Sequence, residues 1–204
     1  MGNLNKWFLI SLLFLTVNIS AQKTADDFYN SGTARGLKEE YLSAVADFSE
    51  ALALQPDFED ARYNRGICYI KMKRYKEAVA DFNIILKKLP ESARTLNQRG
   101  LAKHLLGDYT GALTDFNDAI ALNPKDVTAY GNRGQNHYLM NNYAEAIADY
   151  DAAIAMESSN GKYHFKRGVI LYLSGNREAG CIDLQKSGEL GHLEAFDILK
   201  FYCR

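Results

Sequence analysis

Two patterns of hydrophobic positions divide the chain. An almost uninterrupted apolar run covers Trp7–Val17, follows the basic residue Lys6 and is succeeded by Ala21 and a polar stretch. From residue 25 onward, apolar side chains recur instead at the i, i+3, i+4 spacing of amphipathic α-helices. The sequence therefore predicts a short apolar leader followed by a helical body.

The apolar leader is typical of a secretory signal peptide, which has a basic start, a short apolar run and a small residue at the cleavage site. Its run of 11 residues is too short to cross a bilayer, which requires about 20 apolar residues. We expect a signal peptide over residues 1–21, cleavage after Ala21 and no stable membrane insertion afterwards. The mature protein would then be periplasmic or secreted. An uncleaved leader that lies in the membrane interface is the alternative.

The helical body repeats with a period of 34 residues. Glycine returns at this interval, an Ala-x-x-Asp-aromatic segment begins 12 residues after each of the first four glycines, and a tyrosine precedes that alanine by three. All three prolines fall in one further column. The columns are Gly32, Gly66, Gly100, Gly134 and Gly168; Tyr41, Tyr75, Tyr109 and Tyr143; Ala44, Ala78, Ala112 and Ala146; and Pro56, Pro90 and Pro124.

Each unit predicts two helices, one with the glycine and one with the Ala-x-x-Asp-aromatic segment. Small residues on both helices allow their axes to approach, and the aromatic ring fills the space between them. Proline ends the second helix because it cannot continue the backbone hydrogen bonds. In the fifth unit Gly180, Asp183 and Leu184 keep the frame, whereas Arg177 replaces the tyrosine and His192 replaces the proline.

These columns resemble those of the tetratricopeptide repeat. The resemblance covers five units: 25–58, 59–92, 93–126, 127–160 and a degenerate 161–194. It implies an all-α fold, a right-handed α-solenoid of helix-turn-helix units that stack because none buries its apolar face alone. Apolar residues at helical spacing over 192–203 predict one more helix, so we expect a C-terminal capping helix beyond the last unit, over 195–204.

Composition narrows the classes of function. The 24 basic and 25 acidic residues give a net charge of −1, and removal of the leader with Lys6 leaves 23 against 25, a net −2. This balance argues against a nucleic-acid partner. No His-Glu-x-x-His, Gly-x-Ser-x-Gly or phosphate-binding glycine loop is present in the sequence, so we expect no catalytic residue, metal or cofactor.

Three cysteines leave one unpaired if two form a disulfide. Cys181 occupies a column that is apolar in the other units, so it should face the capping helix. Folding the chain at 189–191 places Cys203 opposite it, and we expect a Cys181–Cys203 disulfide. Two buried thiols are the alternative. Cys68 aligns with alanines of other units and is expected to be a small, buried, free thiol.

An arginine column and an aspartate column come level when each helix pair folds. A structural ladder of Arg–Asp pairs is the favoured interpretation, and a row of anion-binding arginines is the alternative. The columns are Arg65, Arg99, Arg133 and Arg167, and Asp47, Asp81, Asp115, Asp149 and Asp183.

The resemblance also implies that the first helices line a concave groove. Aromatic surface and amide groups in their columns suit an extended peptide or a helix of another protein. The alternative for the aromatic residues is packing between repeats. The candidate groove residues are Tyr29, Asn30, Tyr63, Asn64, Gln98, His104, Asn132, Tyr138, Lys162, Phe165, Lys166 and Tyr172.

Some members of the family bind a C-terminal carboxylate through lysine and asparagine residues of three successive units. Asn132, Lys162 and Lys166 match the later part of that pattern, but Asn97 and Leu101 stand where its first lysine and asparagine belong. The pattern is incomplete, so we do not expect that specificity.

The sequence therefore predicts a non-catalytic adaptor or scaffold of the cell envelope, which binds a segment of a partner protein in its groove. One alternative is a structural assembly module that self-associates. An enzyme with an unrecognised site is the other, although no nucleophile with a matching base is evident.

Overall fold

The computed structural model describes residues 23–203, so the predicted signal peptide lies outside the described residues. The regular structure of this range consists of α-helices, each of the first ten ending after three or four turns. The helices are α1 (Ala25–Leu37), α2 (Tyr41–Leu54), α3 (Glu59–Lys71), α4 (Tyr75–Lys88), α5 (Ala93–Leu105), α6 (Tyr109–Leu122), α7 (Val127–Leu139), α8 (Tyr143–Met156), α9 (Gly161–Leu173), α10 (Arg177–Glu189) and α11 (Glu194–Tyr202).

Successive helices pack against each other along the whole stack, from α1 on α2 to α10 on α11. The first helices of neighbouring units also touch, α1 with α3, α3 with α5 and α5 with α7. One face of the stack is therefore built from first helices alone. The prediction of an all-α solenoid of repeated helix pairs is confirmed.

A left-handed residue makes the turn between the two helices of every unit. It recurs at the 34-residue interval, with φ of 62° at Glu39, 59° at Lys73, 84° at Gly107, 61° at Asn141 and 99° at Gly175. Only glycine adopts this region without steric cost. The other three units accept it in a helix-ending turn, where backbone N–H groups bond back to the preceding helix.

Each helix pair of the first four units is closed by an aromatic ring against the repeat glycine. A Cβ atom added to Gly66 would lie 2.7 Å from two ring atoms of the fully buried Phe82. In the fifth unit Gly168 and Gly180 meet directly, and a Cβ on Gly168 would lie 2.9 Å from the Gly180 carbonyl oxygen. The glycine column therefore sets the distance between the two helices of each pair.

The aspartate column is buried, and arginines satisfy it. Arg99 donates from Nε and Nη2 to the two carboxylate oxygens of Asp115, at 2.8 and 2.7 Å, and from Nη1 to Asn83 of the preceding unit at 2.8 Å. Arg65, Arg133 and Arg167 repeat this bridge, with Ser49, Asn117 and Asp151 as the acceptors in the preceding unit. The structure therefore supports the ladder and not the anion-binding row.

The first unit completes the ladder differently. Ser31 occupies the arginine column and donates to Asp47 at 2.7 Å, while Arg35, one turn later, lies 2.9 Å from the same carboxylate. A cation is thus supplied from the next turn of α1. Within the described range no helix pair precedes α1, so Arg35 binds the aspartate of its own unit and does not bridge to a preceding unit.

The final helix α11 packs on α10 and covers the end of the stack. Ala195 is its buried residue, whereas Leu193, directly before the helix, is 73% exposed. The Cα atoms of Cys181 and Cys203 lie 5.6 Å apart and their sulfur atoms are at bonding distance. Cys68 is buried between the first two units and forms no disulfide.

The Arg133–Asp149 pair provides a test of the ladder. Arg133→Ala should destabilise the fold by about 3–5 kcal/mol, because it leaves a buried carboxylate without its partner. The double change Arg133→Ala/Asp149→Ala should recover part of that loss. Arg74→Ala breaks the exposed pair with Glu77 and should cost less than about 1 kcal/mol. Urea unfolding measures all three, and equal losses for Arg133→Ala and Arg74→Ala would contradict the ladder.

Candidate partner-binding groove

Two cavities lie side by side on the first helices of the later units. Their volumes are about 320 and 270 Å3, and Gln135, Lys162 and Lys166 line both. They therefore form one continuous depression, here called the C-terminal groove. Its lining residues are Leu101, His104, Thr128, Gly131, Asn132, Gln135, Tyr138, Asn160, Lys162, Tyr163, Phe165, Lys166, Val169, Ile170, His192 and Glu194.

Helical spacing explains why these residues share a surface. Gly131, Gln135 and Tyr138 follow one another at intervals of four and three on α7, and therefore lie on one face of that helix. Gly131 leaves its part of this face without a side chain, and a Cβ there would lie 2.8 Å from the Tyr163 ring. The ring of Tyr163 thus reaches across from α9 and forms the floor of the groove.

Lys166 is the least solvated cation of the groove. Its amine donates to the side-chain oxygen of Gln135. Burial, and after it the charge of Lys162, lowers the pKa of Lys166 from 10.5 to about 8. Among the described residues, neither lysine forms a salt bridge, and the groove's Glu194 carboxylate lies 3.6 Å from His192. The groove therefore presents two cations without a counter-ion of their own.

Amide side chains connect the first helices beneath the groove. Asn132 donates to Asn97 at 3.0 Å, and Asn97 donates in turn to Thr128 at 3.2 Å. His104 Nδ1 lies 2.9 Å from the side-chain oxygen of the buried Asn136. These hydrogen bonds fix α5 against α7, so the groove has a preformed shape.

A third depression, the N-terminal cavity, lies between the first two units and has a volume of about 250 Å3. Its lining is mostly apolar. The lining residues are Thr33, Gly36, Leu37, Tyr41, Phe48, Asn64, Ile67, Cys68 and Lys71.

Family models match three consecutive segments of the chain. Two models described as tetratricopeptide repeat match residues 38–99 and 127–160, and one described as TPR repeat matches residues 100–141. Together they run from residue 38 to residue 160, more than half of the chain. The chain is a tetratricopeptide repeat protein. No curated protein matches it in sequence.

Solved structures of tetratricopeptide proteins share the fold at low identity. MamA from Desulfovibrio magneticus RS-1 is 19% identical over 84% of this chain and 97% of its own, with a TM-score of 0.76. TTC0263 of Thermus thermophilus is 18% identical over 87% and 100%, with a TM-score of 0.72. YrrB, described as a TPR protein with an unusual peptide-binding site, is 23% identical over 87% and 92%, with a TM-score of 0.69.

The candidate residues of this tetratricopeptide protein do not form one surface. The structure brings six of the twelve together in the C-terminal groove, and Asn64 lines the N-terminal cavity. Tyr172 instead lines a depression of about 200 Å3 beneath α11, which adjoins the C-terminal groove at Val169, and its ring lies 5.8 Å from that of Tyr202. The six are His104, Asn132, Tyr138, Lys162, Phe165 and Lys166.

The aromatic candidates of the first two units pack between helices. The ring of Tyr29 lies 4.9 Å from that of Phe58, and the ring of Tyr63 lies 5.8 Å from that of Phe82. The Arg94 guanidinium also stands 4.5 Å from the Tyr63 ring. Both ring contacts lie within single units and the Arg94 contact joins two units, so these tyrosines pack inside the stack, and a role in partner binding stays a prediction for them. Asn30 is exposed and Gln98 half-buried, and both lie outside the two named depressions.

Sequence reasoning missed the column directly after the repeat glycine. Each of its five residues lines a depression, Thr33 and Ile67 in the N-terminal cavity and Leu101, Gln135 and Val169 in the C-terminal groove. The signal was present, since this column lies four residues after the column of Tyr29, Tyr63 and Phe165 and three residues before the column of His104, Tyr138 and Tyr172. That spacing places all three on one helical face.

Among the described residues, no group of three or more histidine, cysteine or acidic side chains could hold a metal ion. No helix in the described range is long and apolar enough to span a membrane.

Lys166→Met is expected to stabilise the protein at pH 7. Below pH 8 the folded state holds a charge that burial disfavours, whereas the unfolded chain, with a lysine pKa near 10.5, holds it in water. The difference in stability between the variant and the parent should shrink as pH rises from 8 to 10.5, because in this range the parent releases the lysine proton when it folds, and this release costs less free energy as the pH rises. Urea unfolding of both proteins from pH 7 to pH 10.5 checks this, and a difference that is independent of pH would contradict it.

Proposed function

We propose that this tetratricopeptide protein is a non-catalytic adaptor of the cell envelope, which binds an extended segment or a helix of another protein in the C-terminal groove. The observation that carries the proposal is the continuity of the two cavities through Gln135, Lys162 and Lys166. A depression shared by three first helices suits a chain segment better than a small, enclosed ligand.

The chemistry of the groove supports this role. Phe165 and Tyr138 offer aromatic surface, the kind of side chain that dominates binding energy at protein interfaces. Lys162 and Lys166, which have no salt-bridge partner among the described residues, would attract an acidic part of the partner and fix its direction along the stack. The described peptide-binding site of YrrB is in keeping with such a use of the fold.

Self-association is the second candidate, and the surface of the last helix favours it. Phe196, Phe201 and Tyr202 of α11 are 50%, 69% and 61% exposed. Exposed apolar side chains at the end of a solenoid are a site where copies could stack. An enzyme has no comparable observation in its favour.

We further propose that the protein is exported and oxidised. The apolar leader supports export, and the 5.6 Å separation of the Cys181 and Cys203 Cα atoms suits a disulfide. The disulfide would hold α11 on the last repeat. A signal peptide directs a protein to a compartment in which disulfides form, so the two parts of this proposal agree.

A groove variant tests the adaptor. The mature chain from residue 22 is incubated with envelope extract beside Tyr138→Ala/Lys162→Glu, which removes aromatic surface and reverses one groove charge. Lys76→Glu, on the exposed side of α4, is the matched control for the charge change. Mass spectrometry should identify a partner that the parent and the control capture, and that the groove variant loses.

Equal capture by all three proteins would place the contact on another face and contradict the groove. Absence of capture, together with a mass that rises with concentration in sedimentation, would favour self-association instead.

The disulfide is tested by alkylation. Unreduced exported protein, denatured in excess iodoacetamide, should gain one carbamidomethyl group, on Cys68, because the other two sulfurs are bonded. Cys203→Ser should also lower the stability by about 3 kcal/mol, the contribution of a closed loop of this size. Three alkylated cysteines in the unreduced protein would exclude the disulfide.

A further inference from the structure

The N-terminal cavity lies where one unit lacks a side chain that the other units have. Gly36 shares its column with Ile70, His104, Tyr138 and Tyr172. A Cβ atom added to Gly36 would find its nearest atom, the Cys68 sulfur, 4.0 Å away. The chain therefore leaves open, in its first unit, the space that a large side chain begins to fill elsewhere.

The walls of this cavity suit an apolar guest. Phe48 and Cys68 are buried at its base, and Ile67 and Leu37 form its sides. Its volume of about 250 Å3 exceeds the roughly 150 Å3 of an apolar cavity that takes up benzene. A leucine or phenylalanine side chain would therefore fit. Leu37 is 84% exposed, so this wall of the cavity is open to solvent in the free protein.

The charged residues around the cavity indicate which residues should flank the apolar side chain that enters it. Lys71 stands at the rim, exposed, with no salt bridge among the described residues. The C-terminal groove, on the first helices of later units, adds Lys162 and Lys166. The Asp60 carboxylate is already paired with the Arg94 guanidinium at 2.6 Å. Asp26, which shares its repeat column with Asp60, Arg94 and Lys162, lies in the first turn of α1, at the other end of that helix from Gly36. Lys71, on α3, is thus the charged side chain among the residues that line the cavity, while Glu39 and Glu40 follow Leu37 in the turn to α2.

We propose that the N-terminal cavity receives one apolar side chain, of leucine or phenylalanine size, from an acidic segment of a partner protein. The acidic neighbours of that side chain would meet Lys71 at the rim, and charge complementarity would set the register of the segment. This inference rests on the proposed function, because it names the class of segment that the adaptor binds.

The test uses a displayed library of random dodecapeptides as the probe. Selection on the mature protein should enrich peptides with an apolar residue beside Asp or Glu. Gly36→Leu fills the cavity from within and should weaken those peptides by about tenfold or more, the loss expected for an anchor side chain. Ala34→Leu, which adds the same group to an exposed position of α1, is the matched control and should leave their affinity unchanged.

Gly36→Leu is expected to fold, because leucine favours a helix more than glycine does and the new Cβ would be in ordinary contact, at 4.0 Å, with the Cys68 sulfur. Helical circular dichroism and the urea midpoint verify this. A second readout is independent of affinity. Cys68 lines the cavity, so a bound peptide should slow the reaction of its thiol with N-ethylmaleimide in the protein whose other cysteines are bonded.

The outcomes separate the two proposals. Peptides that need Tyr138 and Lys162 but show neither an apolar preference nor sensitivity to Gly36→Leu would overturn the anchor and leave the adaptor standing. Failure to enrich any peptide would overturn the anchor and the adaptor together. Peptide binding that neither Gly36→Leu nor Tyr138→Ala/Lys162→Glu weakens would also overturn both proposals. A dimer that Gly36→Leu dissociates, with no peptide bound, would make a second copy the occupant and overturn the proposed partner.

Discussion

A buried carboxylate in every repeat is the constraint on which the structure depends. An unpaired charge in such a position would be strongly destabilising, so each aspartate requires a cation and each cation requires a helix to carry it. Arg65, Arg99, Arg133 and Arg167 meet this need with bidentate bonds, and their remaining nitrogen reaches the preceding unit. A single arginine therefore links the two helices of its unit to each other and also links that unit to the preceding one.

The ladder also leaves the groove free to vary. In α7, Gln135 follows Arg133 by two residues and therefore lies about 200° around the helix. One side of the first helix is thus committed to the aspartate, while the other side can carry Gly131, Gln135 or Tyr138 without disturbing it. Gln135 and Tyr138 can therefore be replaced without removing the Arg133–Asp149 pair.

Periodicity made most of the fold predictable, because the glycine, aspartate and arginine columns obey the same geometry in each unit. The groove was less predictable. Tyr29 and Tyr138 belong to neighbouring candidate columns, yet Tyr29 packs on Phe58 while Tyr138 lines a cavity. Whether a ring packs or lines a cavity depends on the side chains that face it from other elements, such as Phe58 at Tyr29, and one sequence column does not contain that information. The depression under α11, which holds Tyr172, depends on a helix outside the repeat frame.

The arginine column, continued by one more interval, reaches Phe201, which is 69% exposed. The last helix thus has no guanidinium to fasten it to α10, and the proposed bond between Cys181 and Cys203 stands in its place. At α11, a linkage that depends on redox chemistry thus adds to the packing of this helix on α10. Where thiols stay reduced, thermal fraying would begin at α11, and the ordered solenoid would effectively end one helix earlier than in an oxidising compartment.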